Sequence, residues 1–314
     1  MTPRLTSAAV GVAVVAGLAV AIVGAPAAVR LAAQSPTHTV YVSAVDKDDA
    51  PITDMQAADF ELKEGGKVQQ IQVKPASAPL RVAILVADWG TGNFQAGLSA
   101  FMNKLMGHAE FSLISLLPQP IKVVDYTSEA PALSQALGQL GSRGRQTGAQ
   151  LLEGIRDTAK TIGAPGKRPV IVVLRIGSEG VTSLSGESVR AELRKSGAIL
   201  EVISAGLRTS ASQTATGPDA MTTAQNQLQD DERKQSDFAL AQVLGDGSKE
   251  TGGRNEQVIS TTLISTLENI ANELLHQYEI TYTLPAGQKP NEKISVGSKR
   301  KGVTVRAPSR IALD

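Results

Sequence analysis

The chain has 314 residues, of which 42% are hydrophobic and 19% charged, so it is long and apolar enough to bury a substantial core. Its formal net charge of +1 provides no electrostatic basis for binding nucleic acid or an anionic membrane surface. The absence of cysteine excludes disulfides and thiolate chemistry, and the three histidines have no spacing typical of a metal site.

The first 33 residues have the features of a secretory signal peptide. Arg4 precedes an Ala/Val/Gly/Leu-rich run over residues 8–24, and small residues at Ala25 and Ala27 form a cleavage-site pattern, with a second option ending at Ala33. The run is close to the length that spans a membrane, so an uncleaved N-terminal anchor is the alternative. Either interpretation predicts that the rest of the chain is secreted, periplasmic or associated with the cell envelope.

Residues 34–78 and 277–314 are both predicted to form β-strands. In the first segment, apolar and polar residues alternate and Gly65-Gly66 predicts a hairpin turn. In the last segment, a second hairpin is expected to turn near Lys299–Gly302. We therefore expect the two ends of the chain to form one small β-sandwich, with the middle of the chain inserted into it.

Residues 79–276 alternate apolar strands with amphipathic helices. This pattern predicts a doubly wound, mostly parallel sheet covered by helices on both faces, which is an α/β, Rossmann-like fold. Residues 209–236 interrupt the pattern with a Ser/Thr/Ala/Gly-rich stretch, and we expect a flexible surface insertion with a polar helix at its end. The helix that follows is expected to end at Gly245–Gly247. The clearest strands and helices are predicted at 81–88, 94–107, 146–163, 168–177, 186–197, 198–207 and 260–277.

Six segments together carry a family resemblance. In chain order they are VYVSAVDKDDAPITDMQAADFELKEGGKVQQI, RVAILVAD, RQTGAQLLEGI, VIVVLRIGSEG, ETGGR and LENIANELLHQYEITYTLP. Through their order and spacing the chain resembles the von Willebrand factor type A (vWA) superfamily, and it is most similar to the bacterial secreted VWFA-related (acidobacterial-type) branch. The resemblance covers nearly all of the chain after the N-terminal segment. It implies a vWA domain that mediates protein–protein interaction.

Many type A domains hold Mg²⁺ or Mn²⁺ at a metal-ion-dependent adhesion site (MIDAS), built from Asp-x-Ser-x-Ser, a threonine and a second aspartate on three loops. On this resemblance, Asp88 matches the first aspartate and Thr147 the threonine. Gly90 and Gly92 stand in place of the two serines, and Ile176 stands in place of the second aspartate.

The oxygen ligands are thereby reduced to one carboxylate and one hydroxyl, and the neighbouring Arg175 adds positive charge that opposes a dication. We therefore expect a degenerate MIDAS with no bound metal and no other cofactor. The alternative is a Mg²⁺ or Mn²⁺ site rebuilt from Asp88, Thr91, Thr147 and Glu179. The predicted degenerate site and binding loops comprise Asp88, Trp89, Gly90, Thr91, Gly92, Thr147, Arg175, Ile176, Gly177 and Glu179.

Without a metal, Asp88 has two candidate roles. Its carboxylate either accepts hydrogen bonds from backbone N–H groups of the following turn or helix, or pairs with Arg175 or another nearby cation in place of the metal. Trp89, the only tryptophan, either packs at the end of the sheet or is exposed as an anchor for a binding partner.

The sequence shows no arrangement typical of an enzyme. Ser178 and Ser183 lie in predicted loops without a G-x-S-x-G motif, and His108 and His276 are expected at helix ends as ordinary surface residues. We therefore expect a non-enzymatic, extracytoplasmic module that binds or scaffolds an unidentified protein partner. It would not bind nucleic acid and would contact a membrane only through an uncleaved anchor. The alternatives are a metal-dependent adhesion domain and, third, an undetected hydrolase.

Overall fold

The computed structural model describes residues 37–88, 92–117, 119–140, 150–176, 180–205, 220–285 and 287–313, with only the backbone described over 220–226. The predicted signal segment, residues 1–33, lies outside these ranges. Within them, no helix combines the length and the apolar character that crossing a membrane requires.

In chain order the described strands are β1 (Thr37–Val45), β2 (Phe60–Glu64), β3 (Lys67–Val68), β4 (Ile71–Pro75), β5 (Leu80–Ala87), β6 (Ala109–Ser115), β7 (Ile121–Thr127), β8 (Arg168–Arg175), β9 (Ile199–Ala205), β10 (Asn255–Val258), β11 (Tyr278–Thr283), β12 (Ile294–Ser298) and β13 (Thr304–Arg306). The described helices are α1 (Gln95–Leu105), α2 (Ala130–Leu140), α3 (Leu151–Ile162), α4 (Gly186–Ser196), α5 (Ala220–Ala241), α6 (Ser248–Glu250) and α7 (Leu263–Leu275), with a 3-10 turn at Ala57–Asp59 and a π-helical segment at Gln242–Gly247.

A six-stranded sheet forms the centre of the fold, in the order β10-β9-β8-β5-β6-β7. Its strands are parallel except for β7, which is antiparallel to β6. Successive side chains of β5 enter two different apolar clusters, because side chains alternate between the faces of a strand. Val82, Ile84 and Val86 pack with α1, α2 and α7, whereas Ala83 and Leu85 pack with α3, α4 and α5. Helices therefore cover both faces, and the predicted α/β fold is confirmed.

Two antiparallel sheets draw strands from both ends of the chain. One has the order β13-β1-β11-β4 and the other the order β12-β2-β3. They share one apolar cluster, to which Val42 and Ile280 contribute from the first sheet and Phe60, Leu62 and Ile294 from the second. A small sandwich completed by both ends is therefore present. The described residues belong to one compact unit, Ser35–Asp314, and the predicted domain boundaries remain predictions.

The predicted C-terminal hairpin is wrong. The chain does turn at Lys299–Gly302, where Gly302 has a φ of +75°, but β12 pairs with β2 and β13 pairs with β1. The turn therefore carries the chain from one sheet of the sandwich to the other. Local alternation and a glycine turn are the same in both arrangements, so only the available partner strands distinguish them.

Residues 209–258 agree with one expectation and differ from two. The polar helix expected at the end of the insertion is present from Ala220 onward, but Gly245–Gly247 do not end the following helix, which continues through its π-helical segment into α6. Burial of Val243 and Leu244 against the cluster under α4 offsets the helix cost of the glycines, about 1 kcal/mol each. Strand β10 was not predicted, because its sequence NEQV has no apolar alternation.

Candidate functional site at the carboxyl edge of the sheet

The candidate site lies where β5 and β8 end side by side. From β5 the chain continues to β6 on one side, and from β8 to β9 on the other, so these strand ends flank the point at which the strand order reverses. Ala87 and Arg175 are paired in register, and the N–H of Ile176 donates to the carbonyl of Ala87 over 2.9 Å. Open α/β sheets bind ligands at such a point.

The carboxylate of Asp88 supports the loop that follows β5. Its Oδ2 accepts a hydrogen bond from the N–H of Gly92 at 3.1 Å, and the carbonyl of Gly92 accepts from the N–H of Gln95 at the start of α1. Gly92 has a φ of +69°, a conformation that side chains other than glycine rarely adopt. Asp88 thus has the backbone role considered from the sequence, whereas its pairing with Arg175 stays a prediction.

Four of the ten predicted site residues lie within the described ranges, namely Asp88, Gly92, Arg175 and Ile176. The other six, Trp89, Gly90, Thr91, Thr147, Gly177 and Glu179, lie outside them. The described side chains offer one carboxylate, one guanidinium and one aliphatic group, a set that does not fit the six or more oxygen ligands of a hard dication. In the described part of the chain, no group of three or more His, Asp or Glu residues is placed to hold a metal ion.

A hydrogen-bonded strap, centred on Thr182, holds the loop after β8. The hydroxyl of Thr182 donates to Glu153 Oε1 in the first turn of α3 at 2.6 Å and accepts from the N–H of Leu184. Its own N–H donates to the hydroxyl of the buried Ser236 on α5 at 3.1 Å. The sequence did not predict this strap, since its one recognisable signal is Glu153 in the first turn of a predicted helix.

Exposed apolar side chains lie beyond the ends of the parallel strands. Val181, which follows β8, is 57% exposed, and Ile259, which directly follows β10, is 66% exposed. Phe238 on α5, two residues after the Ser236 that holds Thr182, is 65% exposed. Aromatic and aliphatic side chains in such positions are typical of the core of a protein interface. The sequence did not predict these exposed positions, because a single apolar residue in a loop or on the outer face of a helix leaves no pattern.

Of the two candidate nucleophiles, Ser178 lies outside the described residues, and the geometry separates Ser183 from His108 and His276. Ser183 follows the carboxyl end of β8, whereas the carbonyl of His108 accepts from the N–H of Leu80 at the amino end of the parallel strand β5. His276 caps α7, with its Nδ1 2.7 Å from the carbonyl oxygen of Asn272. The length of β5, about 25 Å at roughly 3.3 Å per residue, therefore lies between Ser183 and His108.

Comparisons with known proteins concern the fold. No protein-family model matches the chain, and no curated protein matches it. Similar solved structures include the conserved hypothetical protein BatB from Bacteroides thetaiotaomicron, with 14% identity over 62% of this chain and 97% of that one and a TM-score of 0.43. They also include a von Willebrand factor type A protein from Catenulispora acidiphila, with 10% identity over 88% of this chain and 74% of that one and a TM-score of 0.42. A third is the SpRpn10 VWA domain, with 15% identity over 60% of this chain and 93% of that one and a TM-score of 0.39.

The chain is similar in fold to vWA domains, in agreement with its sequence resemblance. The acidobacterial-type branch stays a prediction. At these identities and TM-scores the likeness carries no information about a ligand or partner.

Proposed function

We propose that the chain is a non-enzymatic, extracytoplasmic vWA-like module that binds or scaffolds a protein partner through the carboxyl edge of its central sheet, without a bound metal. The observation that carries this proposal is the exposure of Val181 and Ile259 beyond the strand ends, at the same edge of the sheet as a site with few oxygen ligands. The extracytoplasmic location is inferred from the first 33 residues of the sequence.

The alternative is a Mg²⁺- or Mn²⁺-dependent adhesion domain whose MIDAS is rebuilt from Asp88, Thr91, Thr147 and Glu179. The loss of both serine ligands and the position of Arg175 on the neighbouring strand end favour the metal-free form. Since Asp88 already accepts a hydrogen bond from Gly92, a metal would compete with a contact that holds the loop.

Thermal unfolding separates the two forms. Residues 34–314 would be melted in EDTA and in millimolar Mg²⁺ or Mn²⁺. An ion that binds only the native state raises its stability by mass action, by about 2.7 kcal/mol at a hundredfold excess over Kd. We expect the same midpoint in all three conditions. A rise that Asp88→Ala abolishes would contradict the metal-free proposal and support the alternative.

Site-specific photocrosslinking in the producing cell tests the partner surface. A photoreactive side chain would replace Ile259 or, as a matched control, Val68. Val68 is 62% exposed but lies on β3 in the three-stranded antiparallel sheet. We expect a discrete crosslinked product from position 259 and none from position 68. Equal labelling from both positions would contradict a partner surface at the carboxyl edge.

A further inference from the structure

A cavity of about 360 Å³ lies at the opposite, amino-terminal edge of the central sheet. It is bounded by Thr37–Tyr41 of β1, the first residues of β8, residues 193–199 around the end of α4, and residues 308–312 after β13. Its size is in the range of sites that hold a small molecule or a short peptide segment. Neither the vWA resemblance nor the proposed function assigns it a role.

The cavity runs along an open edge of β1. Five consecutive residues of this strand line the cavity. Successive side chains point to opposite faces of a sheet, so a cavity on one face would be lined by every second residue. The cavity therefore borders the edge of β1. On the far edge, β11 pairs with β1 over residues 37–42, whereas on the cavity edge β13 pairs only with Ser43–Val45. After β13 the chain turns away to bridge Thr251 at Pro308, a residue with no N–H to donate. Within the described chain, no strand pairs with the cavity side of residues 37–42.

A buried arginine that forms no ion pair among the described residues lies on the cavity wall. Arg168 is 4% exposed and donates to three neutral acceptors, the carbonyls of Ala78 and Leu274 and the side-chain oxygen of Gln277, at 2.7–2.9 Å. Among the described residues, no acidic side chain forms an ion pair with it. Burial lowers the pKa of its guanidinium, and the nearby Tyr41 and Glu279 act in the opposite direction. A buried charge is costly unless it is paired, so an anion that entered the cavity would be stabilised there.

The rest of the lining also favours an anion with apolar neighbours. None of the described residues that line the cavity is Asp or Glu. Lys195, an exposed residue at the end of α4, adds a second cation, and Pro169, Leu193 and Ile199 supply apolar wall. Two further lining cations, Arg194 and Arg310, are already paired with glutamates.

We propose that this cavity binds the carboxyl-terminal segment of a partner protein. The segment would be extended and add a strand to the open edge of β1, with its terminal carboxylate at Arg168 and Lys195. An open strand edge supplies main-chain hydrogen bonds, and a guanidinium without an ion pair fits a carboxylate. Tyr41, whose ring lies 5.7 Å from the Arg168 guanidinium, marks where the carboxylate would lie along the strand. This site is on the opposite edge of the sheet from the degenerate MIDAS, and the proposal does not depend on the function of that edge.

Fluorescence polarisation with a labelled hexapeptide of alternating threonine and valine tests the proposal on the full chain. Main-chain pairing tolerates many sequences, so this generic strand former is a suitable probe. We expect the free-acid peptide to bind and the same peptide ending in an amide to bind at least about tenfold more weakly. Hexanoate, which has the carboxylate without the peptide backbone, should not displace the peptide at equal concentration. Hydrogen exchange at the backbone amides of residues 37–42 should slow when the peptide is bound.

Lys195→Glu should weaken binding of the free-acid peptide at least about tenfold, because the substitution reverses the charge of the exposed cation at the site. Lys301→Glu makes the same charge change on an exposed residue outside the cavity and should leave binding unchanged. Lys195 is preferred to Arg168 because Arg168 also holds three neighbouring groups. Absence of binding at millimolar peptide, equal binding of acid and amide, or equal effects of the two variants would overturn the proposal. Equal affinity for hexanoate would assign the cavity to free carboxylic acids and overturn the added strand.

Discussion

At the scale of single residues, the threonine and the second glycine of the ETGGR segment each make a specific contact with the central sheet. Gly253 lies against β9 so tightly that a Cβ atom would come within 2.1 Å of the carbonyl oxygen of Leu200. Next to it, the hydroxyl of Thr251 accepts from the N–H of Leu200 at 3.0 Å and donates to the carbonyl of Ser248. The threonine and the glycine thus attach this turn to the central sheet, and both residue types are required by the contact.

Gly253→Ala is expected to destabilise the protein by several kcal/mol, because the new methyl group would meet backbone atoms that cannot move aside. Gly138→Ala is the matched control, since Gly138 lies in α2 with open space where a Cβ atom would lie. That change should stabilise the helix by about 0.5–1 kcal/mol. Urea unfolding of both variants measures the difference, and similar midpoints would show that the turn can move away from β9.

Asp88→Ala is expected to lower the free energy of unfolding by about 1 kcal/mol, because the N–H of Gly92 loses its acceptor. Asp88→Asn keeps an acceptor oxygen and should lose less. Neither variant should change the response to Mg²⁺ if the site is metal-free. Chemical denaturation of the three proteins with and without the ion checks both statements, and equal stability of Asp88→Ala and wild type would refute the structural role of the carboxylate.

At the scale of secondary-structure elements, α5 is held to the body mainly at its C-terminal end. Residues 227–235 are exposed, whereas Ser236, Ala239 and Leu240 are buried. The strap through Thr182 joins this buried end to the loop after β8 and, through Glu153, to α3. The loop at the candidate partner surface therefore depends on a helix that comes from the following part of the chain.

Thr182→Val should weaken this strap, because valine keeps the shape of threonine and its N–H bond to Ser236 but cannot bond Glu153 or Leu184. We expect faster hydrogen exchange in residues 180–185 and a loss of about 1–2 kcal/mol in stability. Ser183→Ala, a change at the exposed neighbour, is the control and should have no such effect. Unchanged exchange in Thr182→Val would mean that packing alone holds the loop.

At the scale of the whole molecule, a buried ionic network joins the central sheet to the four-stranded antiparallel sheet, β13-β1-β11-β4. Glu201 on β9 lies 3.5 Å from the Nε of Arg254, which also contacts Glu273 on α7. Arg306 on β13 reaches the same Glu273 at 2.7 Å and Asp49 at 2.5 Å. Burial raises the pKa of Glu201 to about 7, since the attraction of Arg254 only partly offsets the desolvation and Glu273 adds repulsion.

The pH dependence of stability should report this network. Between pH 4.5, the ordinary pKa of a glutamate, and about 7, the folded protein retains a proton on Glu201 that the unfolded chain has released. The contribution of protonated Glu201 to the free energy of unfolding is therefore complete below pH 4.5. This contribution, up to about 3 kcal/mol, is lost as pH rises through 7. Glu201→Gln should lack this loss, so its stability relative to wild type should increase from pH 4.5 to 8.

Urea unfolding at a series of pH values measures this difference. Glu268→Gln, a change at an exposed glutamate on the same helix as Glu273, is the control and should follow the wild-type profile. A parallel profile for Glu201→Gln and wild type would show that Glu201 titrates at its ordinary pKa.

Elements with a local signal can be predicted from the sequence alone. The apolar runs of β5 and β8 and the stripe of α7 depend on side-chain periodicity and predicted the central α/β fold, and the Gly65-Gly66 turn depends on backbone freedom and predicted a hairpin of the sandwich. The sequence also located Asp88 and Ile176 at strand ends, because the carboxyl ends of parallel strands share one edge.

Features that depend on distant partners are seen only in the folded chain. The segment around Lys299–Gly302 crosses between sheets because β2 and β1 are the strands available to pair, and the glycines at 245–247 stay helical because Val243 and Leu244 are buried. The strap at Thr182 and the open edge beside Arg168 each bring together residues more than fifty positions apart. No local sequence pattern predicts such contacts, because the residues that make them come together only when the chain folds.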